Sequence, residues 1–533
     1  MLWSDVNAIY QIYPRSFYYA SGDGVGDLKG ITQKLGYLKG DPGALGVDAI
    51  WISPFFVSPM DDFGYDVADY CDVDPIFGNL DDFDELIAEA HRRDIKVMID
   101  YVPNHSSDRH KWFAESRSSR DNPKRDWYIW RDGRDDGSPP NNWQSVFGGS
   151  AWQYDETTGQ YYLHSFLASQ PDLNWANPEV QVAMADVLRF WMERGVDGVR
   201  ADAVRWMSKH PELHDNPHNP HYRHGEEDPY HAHLQVNSRY GPHLFDYLKV
   251  IADTIAEYDD RIVLFEDYPD DGLEGGRYEQ YKRFYEINPS VAAPFNFDGM
   301  DVSYNAGSFR HFINSFQSFA GNTLRPFYCF GNHDKPRLAS RVGQEQARAI
   351  GMMQLTLPGI PVIYYGEELG MRNVDIPADK VQDPFELQTP GFGLGRDPGR
   401  TPMQWSDVEY AGFSQHEPWL PLADDYRTHN VVTERQDPRS SLKLYQNMLG
   451  LRDSEIMRSG EYAEWHNHND QLFGYTRRHA GEEILVVFNM SDDSVSWNDA
   501  PAGQIIFSTH PAPARAHGQL TLAPHHGVAI YLD

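Results

Sequence analysis

The chain has 533 residues, with 46 Lys and Arg against 79 Asp and Glu, a formal net charge of −33. That balance excludes electrostatic binding to nucleic acid or to an anionic membrane surface. No apolar run approaches the roughly 18 residues of a membrane span, and at about 150 residues per domain the length allows three or four units.

Met1-Leu2-Trp3-Ser4-Asp5 has no basic region followed by an apolar stretch, so no secretory signal is expected. Cys71 and Cys329 are the only cysteines. Both lie among apolar or aromatic neighbours and read as free buried thiols, which implies a reducing cytoplasm. Aromatics reach 14 %, enough for a large aromatic core and for platforms that suit sugar rings.

Short apolar runs then alternate with amphipathic stretches. Ala8–Tyr13, Val47–Ile52 and Lys96–Val102 read as strands, the last apolar on both faces, as in a parallel strand covered on both sides. Before the third, Phe83, Leu86, Ile87 and Ala90 recur at helical spacing. Asn177-Pro178 starts another helix with a cap and a first-turn proline; Met184, Val187, Leu188 and Trp191 form its face and Gly195 ends it. Strands follow at Asp197–Asp202, Ile262–Glu266, Ala293–Phe297, Phe327–Gly331 and Pro361–Tyr365. Eight strands with helices between them predict an α/β fold, a (β/α)₈ TIM barrel, over residues 1–103 and 170–455.

Residues 104–169, rich in Trp, Asp, Gly and Asn, are too long for a loop after the third strand and predict an inserted subdomain. A second Gly/Pro/Asp-rich stretch, Met371 to Trp405, follows the eighth strand. From 456 to 533 the strand-like runs Leu472–Arg477, Glu483–Phe488 and Gly527–Leu532 predict a C-terminal antiparallel β-sandwich.

Barrel enzymes place their chemistry at the C-terminal strand ends. Asp100, Asn104 and His105 close the third strand, Arg200 and Asp202 the fourth, Glu266 the fifth, and Asn332, His333 and Asp334 follow the seventh. Acids from separate strands on one rim suit acetal cleavage. There one carboxylate stabilises or attacks the sugar carbon and one carboxylic acid protonates the leaving oxygen. Alternation puts Glu266 on the face of Ile262 and Leu264 and Asp267 on the other, which favours Glu266 as the acid and leaves Asp267 as its competitor.

These residues resemble the short conserved regions of the α-amylase-type glycoside hydrolase clan. They are Asp100-Tyr101-Val102-Pro103-Asn104-His105, Gly198-Val199-Arg200-Ala201-Asp202, Phe265-Glu266 and Phe330-Gly331-Asn332-His333-Asp334. Gln170-Pro171-Asp172-Leu173-Asn174 is similar to a fifth region, typical of the oligo-1,6-glucosidase and α-glucosidase branch. The resemblance implies Asp202 as nucleophile, Glu266 as acid/base and Asp334 as a third carboxylate gripping ring hydroxyls. It implies His105, Arg200 and His333 as hydrogen-bonding neighbours, and Phe147 and Phe166 as aromatic lining. Asp62 and Tyr65 would form the pocket for the non-reducing end, closed by Arg400 pairing with Asp62. Ala203, following the nucleophile, would lie beside the cleaved bond; relatives with Val there favour α-1,6 links.

The implied activity is a retaining exo-α-glucosidase on short α-glucosides, maltose before isomaltose, with glucosyl transfer. A trehalose- or isomaltulose-forming isomerase or a dedicated α-glucosyltransferase is the alternative. The partner is a small oligosaccharide or α-glucoside, the protein a monomer or homodimer, and no cofactor is required. The family's Ca²⁺-type loop maps to Tyr19–Asp27, where Ser21, Asp23, Val25 and Asp27 would hold a structural Ca²⁺ or Mg²⁺; Tyr19 and Ser21 replace two of its ligands. Between His210 and His233 lie seven histidines among four prolines, read as a solvated loop at the pocket mouth that shapes the acceptor side.

Overall fold

The computed structural model describes residues 1–533 except 270–274, 322, 499, 512, 514 and 517. Eight parallel strands close into a barrel: β1 (Ile9–Ile12), β2 (Ala49–Ile52), β3 (Lys96–Tyr101), β4 (Gly198–Ala201), β5 (Ile262–Phe265), β6 (Ala292–Asn296), β7 (Phe327–Cys329) and β8 (Ile360–Tyr364). Each pairs with its neighbours in chain order, and β8 closes on β1.

The pleat divides each strand's side chains between two cores. Ile9, Ala49, Trp51, Met98, Leu264, Ala293, Phe295, Phe327, Cys329, Ile360 and Val362 plug the barrel interior. Tyr10, Ile50, Val97, Ile99, Val199, Val263 and Phe265 belong to the layer between strands and helices. This explains why the strands read as continuous apolar runs: both faces are buried. Helices such as Leu80–Arg92, Pro178–Glu193 and Leu244–Ile255 cover the outside. Asn177 caps the second of these by accepting from the Glu179 N–H.

The inward register carries function upward. Gln11 pairs with Trp51, and Asp100 with Arg200, in adjacent strands. Gln11, Asp100 and Arg200 thus stand at the level of Trp51, the top of the apolar plug, on the side of the C-terminal mouth.

After β3 the inserted segment folds as a helix, Lys111–Ser118, and a small antiparallel sheet of Trp130–Arg131, Trp152–Asp155 and Gln160–Leu163. A short hairpin, Phe56–Val57 with Asp69–Val73, leaves the barrel after β2; the sequence pattern shows no sign of it. The C-terminal region packs a five-stranded antiparallel sheet against a three-stranded one around Leu472, Leu485, Val487, Trp497, Leu520 and Ile530.

Two expectations change. Cys329 is buried, but Cys71 is only half-buried, because it lies on the short hairpin between Tyr70 and Asp72, at the edge of the core that Tyr70 and Val73 enter. The histidines of 210–233 do not line the pocket described below. Their loop leans on the inserted subdomain through Arg134–Asp215 (2.7 Å) and His233–Gln144 (3.0 Å), because its polar side chains find partners there.

Candidate active site

A cavity of about 300 Å³ opens at the C-terminal barrel mouth. It brings together Asp62, Tyr65, His105, Phe147, Phe166, Asp202, Ala203, Glu266 and Asp334 from the sequence reading. Val146, Trp206, Tyr268, Lys335, Phe385 and Arg396 line it as well and were not foreseen. Arg200, His333 and Arg400 lie directly behind the lining.

Arg200 is the floor. It is 1 % exposed and bonds three acids: Asp100 by a short contact, Asp202 at 2.6 Å and Glu266 at 2.9 Å. Trp51 Nε1 also donates to Asp100, at 2.9 Å. One guanidinium cannot neutralise three carboxylates. Burial, opposed by Arg200, pushes the Asp100 carboxyl up to about 6. Burial and the charges of Glu266, Asp100 and Asp334 push Asp202 up while Arg200 pulls it down, so the acids on this arginine ionise one against another.

Glu266 enters the site and Asp267 does not. Glu266 Oε2 accepts the Ala203 N–H at 2.8 Å. The Asp267 carboxylate is fully buried in the outer layer, bound to Arg205 at 3.0 Å and to the Tyr240 hydroxyl. The alternation read from the sequence is the reason: Leu264 points into the barrel plug and Phe265 into the helix layer, and the next two residues keep the register.

Ala203 adopts φ 50° and ψ 34°, the left-handed region. This turn points its N–H at Glu266. It also strains a side chain branched at Cβ.

The opposite wall is a chain of ionic and aromatic contacts. His333 stacks on Tyr65, with ring centroids 5.5 Å apart and planes 4° from parallel. Gln11 Nε2 lies 2.8 Å from His333 Nδ1, and Tyr65 Oη lies 2.6 Å from Nε2. Both ring nitrogens of His333 are thereby engaged. Burial holds His333 well below its usual value, so the ring is neutral. Asp334 takes Arg400 at 3.1 Å and Arg396 at 3.4 Å. Although burial opposes them, the Arg400 and Arg396 guanidiniums hold its carboxyl below the usual range. His105 is lowered to about 4 by burial. Gln170 Nε2, from the fifth sequence region, bridges His105 Nε2 (3.2 Å) and Asp62 Oδ2 (3.1 Å).

The arginine on Asp62 is Arg396, at 2.8 Å, not Arg400. Arg400 points elsewhere because its Nε donates to the His333 carbonyl at 2.7 Å and its Nη2 to Asp334. The two arginines stand four residues apart in one loop, and only the fold tells them apart.

In the N-terminal loop the carboxylates are already engaged by backbone. Asp27 Oδ1 and Oδ2 accept from Gly30 and Ala20 at 2.6 and 3.0 Å, and Asp23 accepts from Val25 at 2.9 Å. Ser21 and Val25 add no charge. Among the described residues no three His, Cys, Asp or Glu side chains are grouped to hold a metal ion. The donor set does not fit a hard cation, which prefers six or more oxygens.

The pocket thus joins a buried acid pair on one arginine to a closed polar wall, as acid-assisted cleavage of a sugar acetal needs. Comparison with known proteins agrees. The pattern of the α-amylase catalytic domain matches residues 11–460. A probable α-glucosidase of Rhizobium meliloti (strain 1021) is 41 % identical over 93 % of this chain and 90 % of its own. An oligo-1,6-glucosidase of Heyndrickxia coagulans is 39 % identical over 93 % of both. Among solved structures, the α-glucosyl transfer enzyme XgtA superposes with a TM-score of 0.91 at 38 % identity over the whole of both chains. The trehalulose synthase MutB from Pseudomonas mesoacidophila MX-45 superposes at 0.87 and 35 %, covering 100 % of this chain and 99 % of its own. With acids, floor arginine and barrel register all in place, the chain belongs to the α-amylase family of glycoside hydrolases, as a glucosidase of that family.

Proposed function

We propose that the protein is a retaining exo-α-glucosidase that removes terminal glucose from short α-glucosides and transfers part of it to other hydroxyls. The observation that carries this reading is the placement of Asp202 and Glu266 on one arginine inside a pocket walled by Asp62, Arg396 and Asp334. Such a wall leaves room for a chain end and none for a continuing chain. In this reading Asp202 attacks C1 and forms a β-glucosyl ester while Glu266 gives its proton to the departing oxygen. Glu266 then takes a proton from water, or from an acceptor hydroxyl, which attacks C1 and frees Asp202. Asp334 holds ring hydroxyls, with His333 packed behind the lining, and the aromatic lining covers the sugar's apolar face.

Hydrolysis and transfer share the glucosyl ester and differ in what attacks it. The likeness to the α-glucosyl transfer enzyme XgtA and the trehalulose synthase MutB favours a second reading, in which a sugar acceptor takes the glucosyl group more often than water. We assign the protein to the cytoplasm on its two free thiols. Among the described residues no helix is long and apolar enough to cross a membrane. We propose no metal in the reaction. Purified protein given maltose, isomaltose, sucrose and trehalose separately tests the proposal. Free glucose from maltose supports hydrolysis, transfer products alone support the second reading, and no turnover of any of the four rejects both.

A further inference from the structure

Arg396 reaches the pocket from the segment after β8, and that segment's own bonding holds it there. Asp397 Oδ2 accepts the N–H groups of Gln382 (2.7 Å) and Asp383 (2.9 Å). Asp383 answers by accepting the Arg396 N–H (2.5 Å), Nε (3.1 Å) and Nη2 (2.7 Å). Two carboxylates thus clasp the two ends of the loop 383–396 reciprocally. Asp383 has no exposure. Within the loop, Phe385 packs on Phe147 at 5.1 Å, and Gly148 is bare because a Cβ there would stand 2.7 Å from Thr389.

We infer that Asp383 is a positioning residue that acts through Arg396. A single ion pair to Asp62 would leave a long arginine side chain free to swing. Asp383 instead grips Nε and Nη2 together, which fixes the plane of the guanidinium. That plane directs Nη2 to Asp62 and Nη1 to Asp334 while Phe147 lies under it, with the ring centroid at 5.1 Å. The clasp therefore keeps the wall in the position that meets the terminal sugar. The inference rests on the glucosidase reading above.

The test compares kcat and KM for maltose in the wild type, Asp383→Asn, Arg396→Ala and the double variant. Asparagine removes the charge and turns an N–H donor toward a cation. If Asp383 works through Arg396, Asp383→Asn raises KM about tenfold or more and changes kcat by about threefold or less; in the Arg396→Ala background its effect on KM falls below about twofold. An equal rise in both backgrounds, or no rise in the wild-type background, overturns the inference. Arg396→Lys gives an answer that does not depend on how Asp383→Asn folds. Lysine keeps a charge for Asp62 but cannot take the two-atom grip. It should match Arg396→Ala in KM, and a wild-type KM for Arg396→Lys overturns the inference. Should the wild type turn over no α-glucoside, the proposed function fails but the clasp is still decided by a crystal structure of Asp383→Asn. The guanidinium displaced from Asp62 supports it, and one still within ~3 Å overturns it.

Discussion

The two ends of the pocket are built from different materials. One end is a lattice of directed charge: Asp62, Asp334 and Asp383 around Arg396 and Arg400, with neutral His333 stacked on Tyr65. The other is mostly shape: Phe166 edge-on to Trp206 at 5.0 Å, Tyr268 stacked on Phe297 at 4.8 Å, and the small Ala203 beside Glu266. Directed hydrogen bonds discriminate steeply, because a ligand lacking the matching hydroxyl leaves buried polar groups unpaired, whereas an apolar wall separates ligands only weakly by size. Under the proposed function, the contrast implies a chain end that is read strictly and a leaving or accepting group that is read loosely.

The largest effect is expected between the two ends, at the floor. Asp202→Asn should lower turnover of maltose by roughly 10⁴-fold or more without unfolding the barrel, because it removes the attacking atom. Circular dichroism with steady-state kinetics checks this. Substantial residual turnover in clean protein would move the chemistry elsewhere.

Next comes the acid. Glu266→Gln should cut maltose hydrolysis by about 10²- to 10⁴-fold yet spare formation of the glucosyl ester from an aryl α-glucoside whose leaving group needs no proton. Asp267→Asn should instead lower stability, since Asp267 is locked to Arg205 and Tyr240 in the outer layer. A burst of phenolate from Asp267→Asn, and none from Glu266→Gln, would exchange their roles.

These assignments show which parts were legible in the sequence. The barrel strands could be read because both faces are buried, which leaves runs such as Lys96–Tyr101 without alternation. Glu266 could be separated from Asp267 because a two-residue period survives past the end of β5. Neither rule reaches into the segment after β8. Arg396 and Arg400 have the same chemistry, and the clasp of Asp383 with Asp397 that decides which one meets Asp62 depends on chain reversal over more than ten residues. Phe385 and Trp206 lie in single helical turns, Pro384–Gln388 and Val204–Trp206, which are too short to carry a periodicity that shows where an aromatic points. Cys71 is half-buried because the hairpin turns Tyr70 and Val73 into the core and leaves Cys71 at its edge.

A smaller effect probes the loosely read end. Ala203→Val should move the ratio of kcat/KM for maltose to that for isomaltose toward isomaltose, by about 10-fold, by crowding a sugar held close to the floor. The left-handed backbone at Ala203 strains a branched side chain, so absolute rates should fall as well. A ratio unmoved by the substitution would place linkage selection on Phe166, Trp206 and Tyr268.

The smallest effect separates pocket acids from buried acids elsewhere. Burial lifts Glu434 from 4.5 to about 8. Its folded value lies above its unfolded one, so its stabilising contribution is complete below about pH 4.5 and is lost as the pH rises through 8. Glu434→Gln should flatten the fall in Tm across that range and leave kcat unchanged. Parallel Tm curves for the two proteins would contradict this.

The central claim is that Asp202 forms a covalent bond to the sugar while Glu266 supplies the proton. The most direct measurement is mass spectrometry of the protein incubated with 5-fluoro-α-D-glucosyl fluoride, whose ester forms faster than it hydrolyses. The account predicts one fluoroglucosyl unit per chain, found on Asp202 after digestion, and α-glucose as the first product released from maltose. An adduct on any other side chain, or no adduct together with β-glucose released first, would contradict it.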